Sequence, residues 1–202
     1  MNRDNLIKEI TDKEDFLLVR KAKEGDRTSF NELVLRHQDR VYNICFRITG
    51  DYDIANDCAQ ETFLKVFRKI ESFREKSKFS TWIHRIAVNT CKNHLTSSYF
   101  RREYSQVNVA GDDKQEEVAR PDISDSRYDP EEHALNEELR SKIEKAVLAL
   151  PLDLRIIVIM KDIEEKTYEE VADILNMKDG TVKSRLSRAR KQLRKMLQDI
   201  EK

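Results

Sequence analysis

The stretch TVKSRLSRARKQLRKML (181–197), preceded by NMKDG (176–180), decides how this chain is read. At 100° per residue Val182, Leu186, Ala189, Leu193, Met196 and Leu197 share one stripe of a helix. Lys183, Ser184, Ser187, Arg188, Lys191 and Arg194 share the opposite face. A helix with a buried apolar stripe and a basic face carrying small hydroxyl residues suits a DNA major groove. The small residues let the backbone approach, while Arg and Lys reach phosphates and guanine edges. Taken alone, the same run also reads as a solvated basic helix. What precedes it favours DNA. TYEE (167–170) has the capping-box pattern, and the helix it opens carries Val171, Ala172 and Leu175 at core spacing. Gly180 is expected to form the corner and Thr181 to cap the next helix. Helix, short turn, basic helix is the helix-turn-helix pattern, which specifies DNA binding but not the kind of DNA-binding protein.

Composition narrows the class. With 202 residues there is room for one large or two small domains, and 4 Gly, 3 Pro and 38% charged residues favour helices over sheets. No apolar run approaches the roughly 20 residues that span a bilayer, and MNRDNLIKEITDKED (1–15) lacks a signal-peptide core. Cys45, Cys58 and Cys91 are odd in number and form no C-x-x-C. They read as small core residues of a protein in a reducing cytoplasm, not as a disulfide framework or zinc site. The formal net charge of +0 hides a division. Residues 65–102 hold ten basic side chains against Glu71 and Glu75; residues 112–138 hold eleven acidic ones against three basic; residues 176–198 hold eight basic ones against Asp179. Two basic blocks flanking an acidic one suggest two nucleic-acid contacts joined by a segment that avoids or mimics phosphates.

Apolar periodicity divides the chain the same way. Phe30, Leu33, Val34, Val41, Ile44, Cys45 and Ile48 recur at helical spacing between a Ser29-x-x-Glu32 box and Gly50. Ala55, Cys58, Ala59, Phe63, Val66, Phe67 and Ile70 form a second stripe; Trp82, Ile83, Ile86, Ala87 and Cys91 mark a third helix over about 80–95. With an N-terminal helix near 15–23 these close one helical domain, 1–102. Residues 103–130 are acidic, aperiodic and contain Gly111, Pro121 and Pro130, which predicts an extended, flexible linker. Ile143, Val147, Leu150, Ile156, Ile157, Ile159 and Met160, with Pro151 at a break between helices, supply a second core over 131–202. The expected fold is all-α: two small helical domains, an acidic linker, and a C-terminal helix-turn-helix.

The first domain offers two surfaces. Asp53, Asp57, Gln60, Glu61 and Leu64 lie together away from the apolar stripe, as a docking surface for a basic partner helix would. Asp57 and Glu61 as metal ligands are disfavoured, because no Glu-x-x-His motif accompanies them and the four His are scattered. His84 and His94 are expected at the surface or at caps. FREKSKFSTW (73–82) interleaves aromatic, basic and hydroxyl residues, as single-stranded DNA capture requires, although Phe79 and Trp82 also suit a core. Within it Arg74, Lys76, Lys78, Phe79, Ser80 and Trp82 are candidate contacts, followed by Arg85, Asn89, Lys92 and Asn93 on the next helix.

With these residues in view, the chain resembles bacterial RNA polymerase sigma factors of the extracytoplasmic-function class, within the sigma-70 family. DCAQETF (57–63) resembles the helix that docks on the clamp helices of the polymerase largest subunit, so the resemblance assigns core binding to Asp53, Asp57, Gln60, Glu61 and Leu64. FSTWI (79–83) and RIAVNTC (85–91) resemble the segment that recognises and melts the −10 element. Leu150-Pro151, Tyr168-x-x-Val171-Ala172 and GTVKSRL (180–186) resemble the domain whose second helix reads the −35 element, here with Thr181, Lys183, Ser184, Arg185, Ser187, Arg188 and Lys191. The large N-terminal inhibitory region and third domain of primary sigma factors have no counterpart. The resemblance implies a cytoplasmic promoter-specificity subunit serving a stress or envelope-responsive regulon. Its implied partners are core polymerase (clamp helices and beta flap), promoter DNA and an anti-sigma factor, with no catalytic residue, cofactor, metal or membrane insertion. A dimeric helix-turn-helix regulator and a helical nucleic-acid-processing enzyme remain as alternatives.

Overall fold

The computed structural model describes residues 3–105 and 130–200, with side chains over 10–97 and 138–198. Most of the expected linker therefore lies outside the described residues. The described residues hold no strand, and eight α-helices follow in order: α1 (Arg3–Lys23), α2 (Arg27–Thr49), α3 (Tyr52–Lys69), α4 (Phe79–Ser105), α5 (Pro130–Leu148), α6 (Leu152–Val158), α7 (Tyr168–Leu175) and α8 (Asp179–Ile200).

Helix α2 sits at the centre of the N-terminal half, against α1, α3 and α4. Its buried stripe is Leu33, Val41, Ile44, Cys45 and Ile48; Ala55, Cys58, Ala59 and Val66 come from α3 and Ile83, Ala87, Val88 and Cys91 from α4. Each buried Leu, Ile or Val side chain contributes about 1.5–3 kcal/mol relative to exposure. The three cysteines are free and buried where these helices converge. Two positions in the expected stripes turn outward instead: Phe67 is 56% exposed and Ile143 42%.

The helix ends follow local chemistry that the motif reading placed only in part. The N-cap of α2 is Asp26, not Ser29. Its carboxylate accepts from the Thr28 amide at 2.9 Å and from the Ser29 hydroxyl at 2.6 Å, so Ser29 serves the cap as a donor. Glu32 pairs with Arg36. Helix α2 ends at Gly50 as predicted, with φ 72° and its amide on the Phe46 carbonyl at 2.8 Å. The Thr167 capping box is present in both halves: the Glu170 amide donates to the Thr167 hydroxyl, and the Thr167 amide to the Glu170 carboxylate. The corner of the helix-turn-helix is not Gly180, which lies inside the first turn of α8. Asn176 takes the left-handed conformation, φ 52°, its short amide side chain tolerating what most residues resist. Thr181 is correspondingly inside α8 and does not cap it.

The C-terminal half packs α6 and α7 against α8, burying Ile156, Ile157, Val171, Ile174, Val182, Leu186 and Ala189. Between α6 and α7 the chain widens into a π-helical turn, Ile159–Ile163, with the Glu164 amide on the Ile159 carbonyl at 2.8 Å. Glu165 follows at φ 53°, a conformation costing a non-glycine residue about 1–2 kcal/mol. This turn rests on α2, and α7 lies along α4, so the two halves share one core. Periodicity gave no hint of that closure.

Candidate nucleic-acid interface

Three surfaces stand apart on this frame. On α3, the residues Asp53, Asp57, Gln60, Glu61 and Leu64 are all exposed. Leu64 is 56% exposed and Phe67 matches it one turn on, its ring meeting Phe30 edge-on at 5.1 Å. Phe67 was missed because its spacing also fits the core stripe. Glu61 pairs with Lys65 at 2.9 Å, leaving Asp53 and Asp57 as the acidic rim of an apolar spot. Among the described residues no group of three or more His, Cys, Asp or Glu side chains gathers as metal ligands.

The second surface is the loop before α4 and the exposed side of that helix. Phe73, Phe79 and Trp82 form a buried aromatic cluster, with centroid separations of 5.1–5.9 Å. Phe79 is 2% exposed and Trp82 8%. The two rings expected as stacking platforms are therefore core residues here; they anchor the loop ends, and what the loop presents is charge. Arg74, Lys76 and Lys78 are exposed. The loop is held from behind: Lys23 donates to the Phe73 carbonyl, and Arg20 grips the Glu75 carboxylate at 2.9 and 3.2 Å. That grip holds the Glu75 carboxyl below the usual carboxylate range, and the residue's backbone takes φ 55°. Arg85, Asn89 and Asn93 are exposed along α4, with Lys92 half-buried beside them.

His84 contradicts its expected surface or capping role. It is fully buried, neither ring nitrogen has a partner, and burial, then the charges of Lys166, Arg40 and His37, hold its pKa well below the ordinary imidazole value. His37 is buried on the Asp15 carboxylate at 2.8 Å and packs edge-on to Phe79.

The third surface is α8. Lys183, Ser184, Ser187, Arg188 and Lys191 are exposed, while Thr181 and Arg185 are half-buried. The Ser184 hydroxyl donates back to the Thr181 carbonyl. Lys183 lies over the Tyr168 ring at 5.3 Å. Arg185, Arg188, Lys191 and Gln192 line a shallow groove with Asp153 and Leu154. Arg190, on the flank, is held bidentately by Asp162 at 2.5 and 3.0 Å.

The second surface meets partners from the C-terminal half of the chain. Lys92 pairs with Asp153 at 2.8 Å, and Asp153 also reaches Arg185 at 3.4 Å. The hydrogen bond from Lys92 and then the charge of Arg185 hold the Asp153 carboxyl below its usual range. Lys78 contacts Asp12 at 3.0 Å and Glu170 at 3.7 Å, and buried Lys166 reaches the Ser80 hydroxyl at 3.5 Å. No helix among the described residues is long and apolar enough to cross a membrane.

Comparison with known proteins fits this layout. Residues 33–100 match the family profile Sigma-70 region 2, and residues 140–193 match Sigma-70, region 4. The RNA polymerase sigma-H factor of Pseudomonas aeruginosa is 35% identical over 192 residues, covering 95% of this chain and 97% of that protein. The ECF RNA polymerase sigma-E factor of Escherichia coli is 36% identical over 187 residues, covering 92% and 95%. Among solved structures, CnrH in complex with the cytosolic domain of CnrY aligns with a TM-score of 0.64 at 19% identity, covering 92% of this chain and 98% of that one. The sigma factor RpoE from Bartonella quintana, solved with the anti-sigma factor NepR, aligns with 0.60 at 24%, covering 84% and 96%. At those identities the structural likeness speaks for the fold, while the sequence relatives and both regional matches place the whole chain: it belongs to the sigma-70 family, among the extracytoplasmic-function sigma factors.

Proposed function

We propose that this chain is the promoter-specificity subunit of RNA polymerase, working in the cytoplasm and performing no bond chemistry of its own. It positions core polymerase by reading a −35 element with α8 and a −10 element with the 74–78 loop and α4, and it favours strand opening there. The observation that carries this reading is the presence of an exposed acidic–apolar spot on α3 in the same chain as two separate basic faces. A regulator that binds duplex DNA alone has a use for α8 but none for Leu64 and Phe67.

The domain boundaries follow: 1–102 for core binding and −10 recognition, 131–202 for −35 recognition, with 103–130 as connection. On α3, Asp53, Asp57, Gln60, Glu61 and Leu64, joined by Phe67, dock on core polymerase. On the −10 side, Arg74, Lys76, Lys78, Ser80, Arg85, Asn89, Lys92 and Asn93 meet DNA, with Phe79 and Trp82 shaping the loop from beneath. Cations along the loop track the backbone of a separated strand, whose opening costs a few kcal/mol per flipped base. On the −35 side, Ser184, Ser187 and Arg188 face base edges, while Thr181, Lys183, Arg185 and Lys191 fix register on phosphates. An anti-sigma factor is a fitting regulator, since the Bartonella quintana relative was solved with one.

The test is assembly. Mixed with core polymerase, the chain should form a one-to-one complex that withstands gel filtration. A chain that dimerises on duplex DNA and never joins core would refute the assignment.

A further inference from the structure

We propose that helix α1 sets the selectivity of the −10 face from behind: Arg20, through its two bonds to Glu75, is a positioning residue that fixes the shape in which the 73–78 loop receives a separated strand. This rests on the reading of that loop as part of the −10 face.

Asp12, Phe16, Arg20 and Lys23 follow one another along α1 at spacings of four, four and three, so they share one face of the helix. All four hold the loop. Phe16 stacks on Phe73 with ring centroids 6.3 Å apart. Lys23 lies over the same ring at 5.8 Å and donates to the Phe73 carbonyl at 2.5 Å. The Arg20 guanidinium bonds both carboxylate oxygens of Glu75, at 2.9 and 3.2 Å. Asp12 takes the Lys78 ammonium at 3.0 Å. The loop is thus tied to one helix at its start, middle and end, while Arg74 and Lys76 between those points stay exposed.

Glu75 makes this more than a support. It is the one acidic side chain in the stretch 73–82, set between Arg74 and Lys76. A free carboxylate there would repel the phosphates that its neighbours attract; turned onto Arg20, it is neutralised and directed to α1 instead. Its backbone is left-handed, φ 55°, a conformation that persists where the surroundings demand it. The paired bonds from Arg20 supply that demand, and their fork geometry fixes orientation in a way a lysine ammonium cannot. A loop held in one shape discriminates among bases, because a strand that fits poorly gains nothing by remodelling it. A loose loop follows any sequence through its phosphates.

The test uses holoenzyme assembled from core polymerase and the full chain. It is offered a library of pre-melted promoter forks with the −10 strand randomised, and sequencing of the bound pool gives the ratio of preferred to average sequence. Arg20→Ala and Glu75→Gln should each lower that ratio about two- to fivefold at one or two adjacent positions, the range an exposed ion pair commands. Arg20→Lys should recover part of the ratio, and the exchanged pair Arg20→Glu with Glu75→Arg most of it. Core affinity and helicity should match wild type in every variant. An unchanged ratio in both Arg20→Ala and Glu75→Gln overturns the proposal. So does a loss of affinity that is uniform across all sequences, which assigns Arg20 to support alone. Failure of the exchanged pair to recover the ratio overturns the role of the pair. A wild-type holoenzyme that selects no −10 sequence refutes the −10 face itself, and this inference with it.

Discussion

Leu64→Asp should abolish docking on core polymerase, and the size of the loss follows from exposure. Leu64 is 56% exposed, so docking has roughly half a leucine side chain left to bury. At about 1.5–3 kcal/mol for a whole leucine, Leu64→Ala should cost about 1 kcal/mol, near fivefold in affinity. Aspartate does more. Placed in a contact already rimmed by Asp53 and Asp57, it leaves an unpaired carboxylate desolvated, which costs several kcal/mol and lowers affinity about a hundredfold or beyond. Leu35 supplies the control: it is 62% exposed, on α2. Leu35→Asp should leave docking unchanged. The assay is anisotropy of labelled chain titrated with core polymerase, with circular dichroism confirming equal helicity. Equal losses at Leu64 and Leu35, or none at either, would refute the assignment of this surface.

Three further outcomes follow. Arg188→Ala should cost about 1–3 kcal/mol on the preferred −35 sequence and relax preference at one or two positions, while Lys191→Ala weakens all sequences alike and lowers the salt slope by roughly one; a −35 library bound at two salt concentrations checks both. Replacing Lys76 and Lys78 with Ala should reduce permanganate reactivity of unpaired thymines at the −10 element without changing duplex −35 binding, and a pre-melted bubble should restore the complex. Burial depresses the His84 pKa, so the unfolded chain binds the extra proton first; stability is complete above about pH 6.5 and falls below it, by at most about 1.4 kcal/mol per pH unit. Urea unfolding of the wild type and His84→Leu between pH 7 and 5 should show that slope lost in the variant.

What the sequence could express was local. The Thr167 capping box, the Pro151 break and the Val182–Leu186–Ala189 stripe all rest on spacings of three or four residues, and the structure has each of them. The Ser29 and Gly180 assignments failed at the same scale because a competing residue, Asp26 or Asn176, met the requirement one turn away. Closure of the halves was not legible, since Arg40–Glu164 and Lys92–Asp153 join residues far apart in sequence that follow no period. His84 was misplaced for the same reason: the groups near it, Arg40 and His37 of α2 and Lys166 of the other half, are all remote in sequence. Aromatics beside cations in the 73–82 segment fit both strand capture and a buried cluster, and only the fold separates them. The rings went inward and the cations stayed out.

The central claim is tested most directly by transcription from fragmented genomic DNA of the source organism, with core polymerase and this chain as the only protein components. The account predicts transcripts starting at a small set of sites that share a −35 and a −10 element at fixed spacing. Those starts should be absent with core alone, and lost with Leu64→Asp. Starts that are no different from core alone, or that survive Leu64→Asp unchanged, would contradict it.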